Sequence, residues 1–329
     1  MRIFRHYEDL PPEARGAAVT IGNFDGVHRG HQAVIGEAGR VAKDLGAPLG
    51  VLTFEPHPRR VFQPDVPPFR LTSLRTKARH IEALGVDYLY VLHFDLDFSK
   101  RSAQAFVTDV LVGGLEVRHV VVGHDFVFGH ERRGNVKVLA RMAGGQGFGL
   151  TCVGPVTAAG TGAGDVVSSG AIRDLLRRGD ARGAARHLGR FWEIEGRVQG
   201  GDKRGHGLGF PTANVGLGEH LRPAPGIYAV RAGLDQGRDT VWRAGVASLG
   251  RRPTFEGKEL VFEVHLFDFS ADLYGRNLRV AMVEFLREER KFDQPDALVF
   301  QMREDAKRAR EVLAEVDAAG AMENSAAGT

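Results

Sequence analysis

Apolar runs and helix-period stretches alternate through the first half of this chain. Strand-like runs are predicted at Ala17–Ile21, Leu49–Phe54, Tyr88–His93, His119–Gly123 and Leu150–Val153. A 3.6-residue period lies between them, near His31–Leu45, Ser73–Leu84, Ser102–Val112 and Asn135–Ala143. That alternation predicts a parallel sheet flanked by helices, with ligands at the carboxyl ends of the strands. From Arg178 to Arg190 the chain is rich in Gly, Ala and Arg and reads as a short helix plus linker. Beyond it the period falls to two. Trp192–Gln199, Ile227–Ala232, Trp242–Leu249, Leu260–Phe267 and Leu278–Phe285 are separated by Gly/Pro turns and predict a small antiparallel barrel. A last amphipathic helix, from about Pro295 to Val316, turns Leu298, Met302 and Val312 toward that barrel. The expected fold class is therefore α/β: an N-terminal Rossmann-like α/β domain (1–186), then a small antiparallel β-barrel with a terminal helix (187–318) and a disordered tail (319–329).

The chemistry gathers at the predicted strand ends. Thr20-Ile-Gly-Asn-Phe-Asp-Gly-Val-His-Arg-Gly-His-Gln32 joins the first strand to the first helix. Free N–H groups and the positive end of a helix dipole make such a turn an anion site. Gly22 and Gly26 permit positive φ, and Gly30 lets a phosphate approach the main chain. His28 and His31, three apart, face the same way on a first helical turn, where two donors can stabilise charge on a phosphate as its leaving group departs. Bare H-x-G-H is weak evidence, since two surface histidines in a glycine-rich turn would give the same letters.

Thr53-Phe-Glu-Pro-His-Pro58 makes a stiff, extended strand exit, and Gly123-His-Asp-Phe-Val-Phe-Gly129 follows a later strand. Phe54, Phe62 and Phe128 can form an aromatic wall for a planar ring, although aromatics at strand ends serve packing as often. Gly160-Thr-Gly-Ala-Gly-Asp165 misses the G-x-G-x-x-G spacing and reads as a flexible approach to Val167-Ser-Ser-Gly-Ala-Ile-Arg173. There, Ser168 or Ser169 caps a helix and Arg173 returns to the same face, a receptor suited to a leaving pyrophosphate.

In the second half, Gly200-Gly-Asp-Lys-Arg-Gly-His-Gly-Leu-Gly-Phe-Pro-Thr-Ala-Asn214 combines a glycine-rich flap, carrying Lys203, Arg204 and Gly205, with Thr212 and Asn214 on one side of an extended segment. A hydroxyl and an amide oxygen suit a Mg²⁺ ion that keeps waters and phosphate oxygens. Val261-Phe-Glu-Val-His-Leu-Phe-Asp-Phe269 alternates strictly. Glu263 and His265 share one face, from which a carboxylate can take the proton of an attacking alcohol.

Composition narrows the class only mildly. In 329 residues, 43% are hydrophobic and 26% charged, as in ordinary globular proteins with room for two cores. A net charge of +3 suits phosphate-bearing small molecules and makes no case for nucleic acid. Cys152 is the one cysteine, which excludes an internal disulfide and a cysteine-rich zinc site. No apolar run reaches membrane-spanning length, so a cytoplasmic enzyme is the expectation.

Together these motifs resemble the bifunctional riboflavin kinase/FAD synthetase family, over roughly Ala17 to Val316. Class I aminoacyl-tRNA synthetases share a related histidine motif, but their lysine-bearing K-M-S-K-S loop is absent. The resemblance implies a nucleotidyltransferase first domain, with His28 and His31 catalytic and Gly22, Asn23, Phe24, Asp25, Gly30, Ser168, Ser169 and Arg173 on ATP. Phe54, Pro56, Pro58, Phe62, Asp125 and Phe128 would line FMN. In the second domain it implies Lys203 and Gly205 on phosphates, Thr212 and Asn214 on Mg²⁺, and Glu263 as the base for the terminal ribityl hydroxyl of riboflavin. Gly245-Val-Ala-Ser-Leu-Gly-Arg-Arg-Pro-Thr-Phe255 and Asp272-Leu-Tyr-Gly275 complete it. Gly170 and Ser248 depart from the family's usual Thr and Asn. The expected partners are riboflavin, FMN and ATP, with no nucleic acid, no membrane and a weak homo-oligomer as the expected self-association. A flavin-sensing regulator, or an enzyme with one active domain, is the alternative.

Overall fold

The computed structural model describes residues 1–158, 165–200, 210–236, 239–254 and 257–326. Its packing separates two compact units, Met1–Pro67 with Leu74–Ser169, and Pro68–Ser73 with Gly170–Thr329. The division precedes the expected 186/187 boundary. The helices Ser169–Arg177 and Ala181–Leu188 put Ile172, Leu176, Ala181, Ala184 and Leu188 into the second unit's core, beside Trp192 and Ile194.

The first unit carries strands β1 (Arg2–Phe4), β2 (Ala18–Ile21), β3 (Leu49–Glu55), β4 (Tyr88–His93), β5 (His119–Gly123), the short pair β6 (Val127–Phe128) and β7 (Gly134–Asn135), and β8 (Gly149–Val153). Six of them form one parallel sheet in the order β1-β4-β3-β2-β5-β8. β2 is buried throughout because both sheet faces are covered. Val19 and Ile21 join one apolar cluster, while Ala18 joins the other. The chain leaves β2 toward β3 and β4 on one side and later returns to β5 on the other. The carboxyl end of β2 is thus the switch point at which open α/β sheets bind ligands.

Two elements differ from expectation. β1 lies in a polar segment, because an edge strand is held by backbone pairing and carries no apolar alternation. The predicted helix from Ser102 is a short α-helix, Ala103–Ala105, widening into a π-helical stretch, Phe106–Gly114. The wider turn buries Phe106, Val107, Val110 and Leu111 together.

The second unit is a closed barrel ordered β10-β13-β12-β11-β14-β9, from β9 (Trp192–Gln199), β10 (Ala213–Val215), β11 (Gly226–Leu234), β12 (Arg243–Thr254), β13 (Gly257–Leu266) and β14 (Asn277–Arg287). Alternate residues fill it: Ala247, Leu249, Phe262, Val264, Val230, Val280 and Met282 are buried. Their neighbours Ser248, Gly250, Val261, Glu263 and His265 lie half-buried on the outer face. The helix Pro295–Ala326 packs Ala306, Ala309, Val312 and Leu313 on the barrel's outside, against Ala229, Phe267 and Val283. Val312 is buried as predicted, and Leu298 and Met302 are half-buried. The helix also continues through 319–326, where a disordered tail was expected, in keeping with the helix propensity of its alanines.

Candidate functional site

At the end of β2 the chain makes a strained turn. Phe24 (φ 48°), Gly26 (φ 88°) and Val27 (φ 42°) all have left-handed backbones, and Phe24 and Val27 are buried. A β-branched residue at positive φ is held there only by surrounding structure, and such strain concentrates at functional turns. Gly26 takes the expected conformation. Gly22 does not; its lack of a Cβ admits the Phe24 ring, whose atoms would lie 3.3 Å from one.

The turn is held from beneath. The Thr53 hydroxyl, on β3, donates to the Asn23 carbonyl at 3.2 Å, and the Ser169 hydroxyl donates to the Asp25 carbonyl at 2.9 Å. Both bonds satisfy backbone acceptors at the base of the turn, where Asp25 is buried. Sequence reasoning placed Ser169 on phosphate as a possible cap. It is the first residue of the helix Ser169–Arg177 and supports the turn, while Ser168, just before that helix, is exposed.

His28 caps the helix Arg29–Leu45 through its side chain: Nδ1 accepts from the His31 N–H at 3.3 Å. A neutral ring accepting at Nδ1 carries its proton at Nε2, so the donor points away from the cap. The His31 ring stacks on it, with centroids 3.5 Å apart and planes 17° apart, and meets Phe24 edge-on at 5.1 Å. Gly30 makes room for this stack, since a Cβ there would sit 3.2 Å from the His28 ring and 3.5 Å from the Val167 carbonyl. The spacing rule brought both imidazoles together correctly. Gly30 thus seats a histidine.

Two features escaped sequence reasoning. Lys77, fully buried on the helix Leu74–Glu82, reaches Thr53 Oγ1 at 3.4 Å and Glu55 Oε2 at 4.0 Å. The signal was a lysine one turn before the buried Ile81, on the core-facing side. The aromatic wall is also larger than Phe54, Phe62 and Phe128. Phe94 stands 5.7 Å from Phe54 and 5.8 Å from Phe62, and Phe106 lies 6.4 Å from Phe54 and 5.7 Å from Phe128. The three expected rings are thereby one continuous layer. Beside it Pro56, Val61, Phe94, Leu96 and Asp95 line a cleft of about 440 Å³, open enough for a flat ring system. Pro58 starts the short helix Pro58–Phe62, Phe62 is 58% exposed, and Asp125 is exposed on the loop after β5.

Arg173 makes contacts within the second unit. Its Nε donates to the Phe69 carbonyl at 2.9 Å, and the guanidinium covers the Phe69 ring at 5.5 Å.

On the barrel, Asn214 of β10 and Ser248 of β12 pair across the ladder with Glu263 of β13, one on each side. An amide, a carboxylate and a hydroxyl therefore stand in one row on the outer face. Thr212 is half-buried just before β10, and the His265 Nδ1–H donates to the Pro211 carbonyl at 2.8 Å. No group of three His, Cys, Asp or Glu side chains among the described residues is placed to hold a metal. Thr212 and Asn214 fit a hard cation that takes most of its ligands from water and phosphate. Lys203, Gly205 and most of Gly160–Asp165 lie outside the described residues.

Comparison with known proteins gives two family matches, FAD synthetase over residues 10–169 and riboflavin kinase over residues 188–313. A bifunctional riboflavin kinase/FMN adenylyltransferase of Pseudomonas fluorescens is 41% identical over 315 residues, covering 95% of this chain and 98% of its own. Proteins of the same description from Escherichia coli K12 and Bacillus subtilis 168 are each 38% identical, over 94% and 91% of this chain and 97% and 93% of theirs. A crystal structure described as a macrolide-efflux protein from Streptococcus pneumoniae superposes with a TM-score of 0.82 at 29% identity, covering 94% of this chain and 98% of that one. Among the described residues, no helix is long and apolar enough to cross a membrane.

Proposed function

The chain belongs to the bifunctional riboflavin kinase/FMN adenylyltransferase family, and from that premise we propose how its residues divide the two reactions. The enzyme phosphorylates riboflavin to FMN and adenylylates FMN to FAD, using ATP in both steps. An ATP-using transferase of this kind works with a divalent metal, which we assign as Mg²⁺.

In the adenylyl transfer, an FMN phosphate oxygen bonds to the α-phosphorus of ATP while the bond to pyrophosphate breaks. The nucleophile is already anionic, so the reaction needs charge stabilisation and positioning more than a base. The observation that carries this reading is the His28–His31 stack at the helix start, with His28 Nδ1 accepting from the His31 N–H. Both imidazoles donate to the α-phosphate as charge builds. The Ser168 hydroxyl and the N–H groups beginning its helix receive the pyrophosphate. The aromatic layer from Phe62 through Phe54 to Phe128 holds the isoalloxazine, with Pro56, Pro58 and Asp125 at its rim.

In the kinase reaction the terminal ribityl hydroxyl attacks the γ-phosphorus and ADP leaves. Glu263 takes the hydroxyl proton, Thr212 and Asn214 hold Mg²⁺, and Lys203 and Gly205 of the flap meet the phosphates. The metal supplies neutralisation of phosphate charge. Ser248, across the ladder from Glu263, replaces one polar group by another and keeps a hydrogen-bonding neighbour for the base.

Chromatography of flavins formed from riboflavin, ATP and Mg²⁺ tests this function. FMN should appear first and FAD later, with ADP and pyrophosphate released in step, and chelation of the metal should stop both. A flavin-binding protein without turnover would release neither. Ser169→Ala should slow FAD formation from supplied FMN about tenfold, the effect of one lost neutral hydrogen bond on turn position, and leave FMN formation unaltered. Equal loss of both activities would contradict that role.

A further inference from the structure

The barrel site has a direction. Thr212 and Asn214 approach Glu263 from the His265 end of β13, where His265 meets Pro211. In an in-line transfer the donor phosphates lie on one side of the attacking oxygen and the acceptor's carbon chain leaves on the other. With Glu263 as the base, a reading on which this inference rests, riboflavin must extend over the next row of the outer face. That row is Val261 and Gly250, paired across the same ladder and both half-buried.

A second carboxylate stands on that row. Glu289, just past the end of β14, lays its side chain on the bare face of Gly250, so closely that a Cβ at Gly250 would collide with both the carboxyl carbon and Oε1. An exposed glutamate ordinarily projects into water. This one folds back onto a strand, and a glycine makes the space for it. Two residues earlier, Arg287 Nε and Nη2 donate to the two Asp305 oxygens at 2.7 and 2.6 Å, tying the end of β14 to the terminal helix. Arg287 lies three strands from the base along the row Arg287, Ile227, Ser248 and Glu263, and the chain beyond it returns Glu289 to Gly250, whose row adjoins that of Glu263.

We propose that Glu289 determines riboflavin recognition in the kinase reaction, its carboxylate accepting hydrogen bonds from the internal ribityl hydroxyls and so holding the terminal hydroxyl at Glu263. The ribityl chain is an uncharged polyol rich in donors. An ionised carboxylate, acceptor-only with about four lone-pair sites, is the complementary group for adjacent hydroxyls. It makes no bond to the reacting atoms, and its contribution is to binding and alignment.

Steady-state FMN formation by Glu289→Ala, Glu289→Gln and Gly250→Ala tests this, with riboflavin and with analogues lacking one internal ribityl hydroxyl. Gly250→Ala keeps the charge but displaces it. In Glu289→Ala and Gly250→Ala the KM for riboflavin should rise about tenfold or more, as for a lost charge-assisted hydrogen bond, with the KM for ATP unchanged. The penalty that the wild-type enzyme shows for a missing hydroxyl should shrink in Glu289→Ala. A wild-type KM for riboflavin in Glu289→Ala, or undiminished discrimination against every analogue, overturns the proposal. Glu289 is exposed, so its variants should fold, and a melting curve checks this. Glu263→Gln, assayed alongside, separates the two ideas. If it makes FMN at the wild-type rate, the base assignment fails; if its kcat falls as expected while Glu289→Ala behaves as wild type, Glu289 alone is wrongly placed.

Discussion

Replacing His28 by alanine is expected to lower FAD formation from FMN roughly 10²- to 10³-fold, the cost of one preorganised donor to developing oxyanion charge. FMN formation from riboflavin should persist. His28 also caps a helix, so alanine removes an acceptor from the His31 N–H, a local cost of about 1 kcal/mol. That is too small to unfold a helix whose Ile35, Ala38, Val41 and Ala42 are buried. His28→Asn separates the effects by keeping a cap acceptor while withdrawing the Nε2 donor. It should remain as poor an adenylyltransferase as the alanine variant. If the asparagine variant recovers wild-type FAD synthesis, the imidazole acts only as a cap.

Glu263→Gln is expected to give the opposite phenotype, a fall of roughly 10²- to 10⁴-fold in kcat for riboflavin phosphorylation, with FAD still made from supplied FMN. Glutamine keeps the shape and the strand register but cannot accept the alcohol's proton. Because Asn214 and Ser248 flank the position and stay in place, the KM for ATP should change little. Measured ADP release against riboflavin decides it. A variant that silences both reactions equally while remaining folded would remove the assignment of one reaction to each half.

Much of this was legible in the chain because the motifs lie where period and chemistry coincide. His28 and His31 are three apart across a helix start, and that spacing predicts that their rings face the same way. Glu263 sits on a strictly alternating strand, so its outward direction follows from Val264 and Phe262 turning inward. Contacts between distant segments were harder. Ser169 was expected at a phosphate because serines before helices cap or bind anions, and no local pattern reveals that its hydroxyl reaches the Asp25 carbonyl. Lys77 is hidden in the sequence because lysine usually marks a solvated face. Phe94 follows β4 and Phe106 begins the π-helical stretch, segments that only the tertiary packing brings beside Phe54. The packing of Gly30 against the His28 ring is likewise a contact that no local pattern reveals.

The closed ladder around Glu263 constrains how this enzyme can diverge. Adding or deleting a single residue at the start of β13 would swap the later side chains between lumen and exterior, driving the carboxylate among Ala247 and Leu249 and pushing Phe262 and Val264 into water. With both neighbouring strands already engaged, no loose margin exists to absorb the slip. Length variation among descendants of this chain should therefore collect in the turns joining the staves, while the staves themselves change by substitution alone.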